Sequence, residues 1–222
     1  MSNQDRSNTT KKSTVYVALI TALAIIIGSV ILGLGGQTTP QEPTPEAAPA
    51  VELPNAGIIE SNKASITFTT NQGEIVIETT PSLAPLTVNA IAALAQKKYF
   101  DGTICHRLTT EGIFVLQCGD PTGTGTGGPG FNIPDENLPQ PIVNNYPAGT
   151  VAMANAGPGT SGSQFFLVYQ DTSLGPDYTI WGSITSGLDI LKTIASAGVV
   201  GGGADGAPAS AVTIESVNVT IS

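Results

Sequence analysis

A single arginine lies inside an apolar β-hairpin, where its charged side chain needs partners. Arg107 is the only arginine after position 6, and it falls in residues 104–108, a short run of strand-forming residues. A turn-prone segment, residues 109–112, leads into a second apolar run that contains Gln117. Because a cation in apolar surroundings must be paired, we expect Arg107 to meet Gln117 across the hairpin. Such a pair belongs either to a functional site or to a structural tie between the strands.

Histidine and cysteine, which bind metals and supply nucleophiles, are rare in this chain. The chain has one histidine and two cysteines, which is short of a structural zinc site without carboxylates from elsewhere. Cys105 and His106 are neighbours in a strand-like run, so their side chains point to opposite faces and cannot form a thiolate–imidazole pair. The pattern therefore disfavours a cysteine or serine hydrolase. It predicts that His106 is a buried structural histidine, hydrogen-bonded to backbone.

A second polar pair lies further along the chain. In residues 153–166, small residues and turn formers separate two short β-like runs and leave Asn155 and Gln164 as polar groups with apolar neighbours.

Between the two segments, residues 121–130 are rich in Gly and Thr, as phosphate loops are. They lack a Gly-Lys-Ser/Thr ending and no helix follows, so we predict a surface loop.

Together, residues 104–120 and 153–166 closely resemble the cyclophilin family of peptidyl-prolyl isomerases. The resemblance covers about Ala64 to Ser222 and is strongest to bacterial single-domain members. It implies a mostly β fold with two helices, in which a closed eight-stranded antiparallel β-barrel is capped by a helix at each end. It also implies an enzyme that rotates X-Pro bonds without a cofactor and without a metal.

The resemblance gives the polar residues roles. Arg107 corresponds to the family's catalytic arginine, Gln117 to the glutamine that orients it, and Asn155 to the residue that holds the substrate backbone. A fixed cation that hydrogen-bonds the prolyl nitrogen lowers a rotation barrier of about 18–20 kcal/mol without proton transfer. The implied substrate-binding residues, which surround the proline ring and its neighbours, are Phe114, Val115, Ala154, Ala156, Gln164, Phe166, Leu174 and Tyr178.

Two departures from the eukaryotic pattern concern ligand binding. No tryptophan precedes Leu174, and Tyr178 stands where many relatives have histidine, so we expect cyclosporin to bind weakly. Trp181, the only tryptophan, aligns with a core aromatic.

The sequence does not decide whether the two cysteines form a disulfide. Cys105 and Cys118 fall outside the cytoplasm in the topology given below, which favours a bond. Strand alternation opposes it, because Cys105 would share a face with Arg107 while Cys118 points away.

The elements that must position these residues follow from periodicity. Two apolar stripes predict helices, one opened by Pro85 with Val88, Ile91, Ala92 and Ala95, and one marked by Leu188, Leu191 and Ile194. Residues 198–206 are predicted to be a flexible connector. The predicted strands, with the hairpin above, are residues 64–70, 74–79, 150–154, 164–169, 179–185 and 211–221.

The N-terminus predicts a membrane anchor. Residues 15–34 are 20 uncharged, mostly apolar residues, long enough to span a bilayer as a helix. Arg6, Lys11 and Lys12 precede this run and no Lys or Arg follows until Lys63, which places the N-terminus in the cytoplasm. A cleaved signal peptide is the alternative, although its apolar core is usually shorter. A lipoprotein is excluded, because no cysteine lies near the end of the run.

These observations divide the chain into a cytoplasmic tail (1–14), a transmembrane anchor (15–36), a Pro/Glu/Ala-rich linker (37–62) and a cyclophilin-like domain (63–222). Downstream of Leu34, 16 Asp or Glu outnumber five Lys or Arg, which argues against nucleic acid and anionic lipid headgroups as partners. We therefore expect a single-pass protein of the bacterial cell membrane with a monomeric, extracytoplasmic catalytic domain. It would act on proline-containing segments of unfolded or partly folded exported proteins. The alternative is a proline-peptide-binding chaperone or interaction module with little catalysis.

Overall fold

The computed structural model describes residues 52–222. The predicted tail, the predicted transmembrane anchor and residues 37–51 of the predicted linker lie outside the described residues. Among residues 52–222, no helix is both long enough and apolar enough to cross a membrane.

Alternating apolar and polar residues build the first hairpin. Every second side chain of β1 (Ala64–Thr70) is buried, and β1 pairs in antiparallel register with β2 (Gly73–Thr79). The predicted helices form as α1 (Pro85–Gln96) and α2 (Leu188–Ser196). The remaining strands are β3 (Arg107–Thr109), β4 (Val115–Cys118), β5 (Thr150–Met153), β6 (Phe165–Val168), β7 (Ile180–Ser186), β8 (Asp205–Gly206) and β9 (Ile214–Ile221).

All nine strands belong to one antiparallel sheet, in the order β8-β3-β4-β6-β5-β7-β2-β1-β9. The terminal strands β8 and β9 do not pair, but the chain just before β3 bonds to the chain at and just before the start of β9. The Cys105 N–H donates to the Val212 carbonyl (3.0 Å), and the Ile214 N–H donates to the Thr103 carbonyl (2.8 Å). The described chain forms a curled antiparallel half-barrel, and these two bonds connect the β3 side of the sheet to the β9 side. The sheet has nine strands where eight were predicted, because the short β8, in a segment that we expected to be a flexible connector, pairs with β3.

Apolar side chains pack on the inside of the curled sheet to form the main core. Trp181 is fully buried there, as predicted, with its ring 5.9 Å from that of Phe165. The predicted stripe of α1 is buried together with nearly all its other residues, so this helix is covered on most sides. In α2 only Leu191 and Ile194 are buried, which fits an amphipathic surface helix.

The last residues of the predicted linker pack onto the domain. Ile58 is 4% exposed and belongs to the main core. The side chain of Asn89 in α1 makes two hydrogen bonds to the backbone of Ile58. It accepts from the Ile58 N–H (2.9 Å) and donates to the Ile58 carbonyl (2.7 Å). The packed region therefore begins upstream of residue 63.

Cys105 and Cys118 form a disulfide, although strand alternation opposed it. Alternation holds only within a regular strand, and β3 begins at Arg107, so Cys105 lies outside it. Both cysteines are buried in the main core, on the face opposite to Arg107 and Gln117. The irregular backbone at residues 105–106 thus lets Cys105 turn inward.

Candidate active site

One row of side chains crosses five neighbouring strands on the outer face of the sheet. Arg107 of β3 pairs with Gln117 of β4, Gln117 with Phe166 of β6, Phe166 with Ala152 of β5, and Ala152 with Ile180 of β7. Directly paired residues share a face, and most of the residues next to them in sequence belong to the main core. The row therefore begins with a cation, continues with an amide and ends with apolar groups.

The guanidinium of Arg107 is held from both sides. Its Nη1 donates to Oε1 of Gln117 at 3.3 Å, as the sequence predicts. On the other side, Nε and Nη2 donate to the two carboxylate oxygens of Asp205 in β8, at 2.8 and 2.7 Å. This hydrogen bonding raises the pKa of Arg107 and lowers that of Asp205. The side chains are 38% and 55% exposed, so the ion pair lies at the surface, where a substrate can reach it.

Sequence reasoning missed Asp205. The only signal was that it is the one acidic residue in the glycine-rich segment 198–206. That segment reads as a connector, and its pairing with β3 depends on a long-range register that no local pattern encodes.

A chain of amides continues from Gln117. Its Nε2 donates to Oε1 of Gln164 at 2.9 Å, and Nε2 of Gln164 donates to the carbonyls of Gly125 (3.0 Å) and Gly127 (2.9 Å). The glycine-rich loop predicted at the surface thus fixes the orientation of Gln164. Through Gln164 it also orients Gln117, and through Gln117 it orients Arg107.

A buried carboxylate organises this loop. Asp120 accepts hydrogen bonds from the hydroxyl and N–H of Thr122 and from the N–H groups of Gly125 and Gly127. Burial alone raises the pKa of Asp120, but the four donors outweigh it and lower the pKa to about 2. Asp120 is therefore ionised and fixes the loop through backbone groups, much as a bound anion does in a phosphate loop.

Asn155 lies in the turn that follows β5. Its Nδ2 donates to the Asp177 carbonyl at 2.8 Å, and its Oδ1 accepts from the Gly157 N–H at 3.2 Å. These bonds fix the turn at one wall of a cleft of about 830 Å³. The cleft runs from Gln117 along the glycine-rich loop, and its lining also contains Ala154, Asn155, Ala156 and Gln164, four residues of the predicted site.

Beside the cleft, a small apolar cluster covers the rest of the row. Phe166 is its centre, with its ring 5.5 Å from that of Tyr178 and 6.1 Å from that of Tyr146. The hydroxyl of Tyr146 bonds to the backbone of Gly175 and Tyr178, and burial raises its pKa to about 12. These bonds hold the loop that carries two cluster members. The predicted residues in the cluster are Val115, Ala154, Phe166, Leu174 and Tyr178.

The structure does not bring Phe114 to this cluster. Phe114 packs against the main core, and its ring lies 6.0 Å from that of Tyr169. Ile113 lies in the cluster instead, because residues 113, 115 and 117 share one face of the chain entering β4.

His106 is half-buried, and neither ring nitrogen has a hydrogen-bond partner within the described chain. The backbone partner that the sequence predicted for His106 is therefore not found among the described residues. Desolvation lowers the pKa of His106, a shift that Arg107 enlarges and Asp120 opposes. Within residues 52–222, no three His, Cys, Asp or Glu side chains cluster as metal ligands would.

Comparison with known proteins decides the family. Residues 65–219 match the family model described as cyclophilin type peptidyl-prolyl cis-trans isomerase/CLD. The chain belongs to this family. The cyclophilin chain is 48% identical over 191 residues to a Mycobacterium tuberculosis protein named "Probable peptidyl-prolyl cis-trans isomerase B", and the alignment covers 79% of the chain but only 61% of that relative. It is 40% identical over 128 residues to peptidyl-prolyl cis-trans isomerase B of Bacillus subtilis, covering 57% of the chain and 87% of that relative.

A solved structure is similar as well. A Cryptosporidium parvum cyclophilin, crystallised in the presence of the dipeptide Ala-Pro, superposes with a TM-score of 0.62 and 30% identity. The match covers 70% of the chain and 98% of that structure. The curled, mostly β architecture with two helices is therefore the cyclophilin fold.

Proposed function

We propose that this cyclophilin is a peptidyl-prolyl cis-trans isomerase and that Arg107 lowers the barrier to rotation about X-Pro bonds. The observation that carries the proposal is the cross-strand row, which places a fixed, partly exposed cation two strands away from the apolar cluster around Phe166, on the same face of the sheet. A proline ring on the Phe166 side would have its nitrogen directed towards Arg107. No other group in the row is charged.

The hydrogen-bond inventory of Arg107 fits this role. A guanidinium has five N–H donors, of which Asp205 takes two and Gln117 takes one. Two donors remain for a substrate. When the X-Pro bond twists, the prolyl nitrogen loses conjugation and becomes a better acceptor, so a donor already in place stabilises the twisted state more than the planar ones. No proton changes hands and no cofactor is required.

Replacement of Arg107 tests this mechanism. We expect Arg107→Ala to lower kcat/KM for a proline peptide by about 10²–10³, the usual cost of removing one preorganised donor. Arg107→Lys should recover little, since a point charge on a flexible stem cannot replace the guanidinium fork. Circular dichroism melts on the same samples serve as the folding control. A folded Arg107→Ala protein that keeps both peptide binding and turnover would refute the role of Arg107. A wild-type protein that binds proline peptides without accelerating isomerisation would support the binding-module alternative.

We also propose that proline-containing segments of exported proteins are the substrates, outside the cytoplasm. The dipeptide used with the C. parvum relative supports the substrate class, and the Cys105–Cys118 bond supports an oxidising compartment. In this proposal, residues 15–36 anchor a monomeric domain to the cell membrane, with residues 1–14 in the cytoplasm.

Fractionation tests the anchor. The mature protein should remain in the membrane fraction and keep its N-terminus. A secreted product that begins near Val51 would show cleavage instead.

A further inference from the structure

Asp205 reaches Arg107 through the register of β8. Asp205 pairs with Thr109 in β3, and Thr109 shares a face with Arg107 two residues earlier. Asp205 is therefore a diagonal cross-strand neighbour of Arg107. Long side chains can reach each other across such a diagonal. Backbone bonds secure the short strand, since the Thr110 N–H donates to the Ala204 carbonyl and the Val200 N–H to the Ala207 carbonyl, both at 2.8 Å.

The two partners of Arg107 restrain it unequally. The single bond to Gln117 is 3.3 Å long and leaves the guanidinium free to pivot about it. Asp205 forms two parallel bonds of 2.7–2.8 Å, the fork geometry that fixes the guanidinium plane. An unrestrained arginine side chain populates many rotamers, so without Asp205 only a minority of molecules would hold Arg107 ready for substrate.

A carboxylate next to a catalytic cation also offsets the positive charge of that cation. This offset would weaken the interaction of Arg107 with the prolyl nitrogen and so lower the rate. Both side chains are about half exposed, so water and salt screen this effect. The two parallel bonds still fix the plane of the guanidinium, and we expect this restraint to matter more for the rate than the offset charge.

We propose that Asp205 is a positioning residue that fixes the guanidinium of Arg107 for isomerisation. This inference rests on the proposed isomerase function. It makes the glycine-rich segment 198–206 part of the site, because that segment presents Asp205 at the edge of β3.

The test compares Asp205→Ala and the isosteric Asp205→Asn with Glu215→Ala, all in the full-length chain. Glu215 is exposed on β9, and its side chain makes no hydrogen bond within the described residues, so it controls for the loss of one negative charge. We expect kcat to fall about tenfold in both Asp205 variants, with KM within about twofold of wild type. Asn should not rescue, because an amide has one acceptor oxygen and directs its NH₂ group at the guanidinium. Glu215→Ala should leave both constants unchanged.

A second readout does not require catalysis. In ¹H–¹⁵N spectra without substrate, the Nε–H of Arg107, assigned by its loss in Arg107→Ala, should be protected from solvent exchange in wild type and Glu215→Ala but not in either Asp205 variant. A kcat within about twofold of wild type or above it in folded Asp205→Ala would overturn the proposal. A reduced kcat with an unchanged Nε–H signal would also overturn it. A wild type without isomerase activity would instead refute the proposed function, while the Nε–H signal would still report whether Asp205 orders Arg107.

Discussion

Replacing Asp120 with asparagine should destabilise the protein through the glycine-rich loop. Asp120 is fully buried and accepts four hydrogen bonds, two on each carboxylate oxygen. Asparagine keeps one acceptor oxygen, so its NH₂ group must face either the N–H and hydroxyl of Thr122 or the N–H groups of Gly125 and Gly127. Two donors that meet in a buried site cannot be satisfied.

The pKa of Asp120 sets the size of the effect and its dependence on pH. A carboxyl group whose pKa falls from 3.8 to about 2 on folding contributes about 2 kcal/mol to the free energy of unfolding at neutral pH. Because the folded-state pKa is the lower one, this contribution is complete above the unfolded value. It is lost as the pH falls from about 4 through about 2.

Urea unfolding at several pH values between 7 and 2 measures this contribution. Wild type should exceed Asp120→Asn by about 2 kcal/mol from pH 7 to 5, and the difference should shrink as the pH approaches 2. Glu215→Gln, which removes an exposed carboxylate, controls for the change in net charge. A difference that stays constant down to pH 2, or one below about 0.5 kcal/mol at pH 7, would show that the carboxylate does not hold the loop.

Three further predictions address the site. Gln164→Leu leaves Nε2 of Gln117 and the carbonyl of Gly127 without their hydrogen-bond partner, so kcat/KM should fall about tenfold in a folded protein. An unchanged kcat/KM would show that the chain of amides does not orient Arg107. Replacing both cysteines with serine should lower the free energy of unfolding by about 3 kcal/mol, the entropy cost of a loop of roughly this length, as measured by urea titration, and a loss below about 1 kcal/mol would contradict it. Cyclosporin should bind at least about tenfold more weakly than to relatives with a tryptophan before the position of Leu174, and equal affinity by calorimetry would show that another group supplies the missing surface.

Local patterns in the sequence were sufficient to place the chemistry of the central hairpin. An arginine within an apolar run needs a partner, and the returning strand offered one polar residue at the right distance, so the pair of Arg107 and Gln117 could be predicted. The helical stripes and the first hairpin followed from periodicity in the same way. Each of these features depends on residues fewer than about 15 positions apart.

The features that could not be predicted depend on long-range register or on local irregularity. Asp205 meets Arg107 across 98 positions of sequence, and its strand has only two residues. The disulfide forms because the backbone at residues 105–106 departs from strand alternation, which a regular pattern cannot reveal. Phe114 was assigned to the proline site by resemblance alone, and its parity with Gln117 would have placed it on the other face.

In the proposed mechanism, the register of the sheet lets one face both bind the proline ring and present a cation to its nitrogen. Alternation directs one residue of each strand into the main core and the next outward, so the outward row combines side chains from strands that are distant in sequence. Its polar end, Arg107 and Gln117, belongs to one hairpin, and its apolar end, Phe166 and Ala152, belongs to the next pair of strands. Because adjacent strands are about 4.8 Å apart, the two steps from Arg107 to Phe166 span about 10 Å, roughly the extended length of three residues. The sheet itself therefore sets the distance between the group that would bind the proline ring and the group that would act on its nitrogen, and loops such as the one held by Asp120 only refine the orientation.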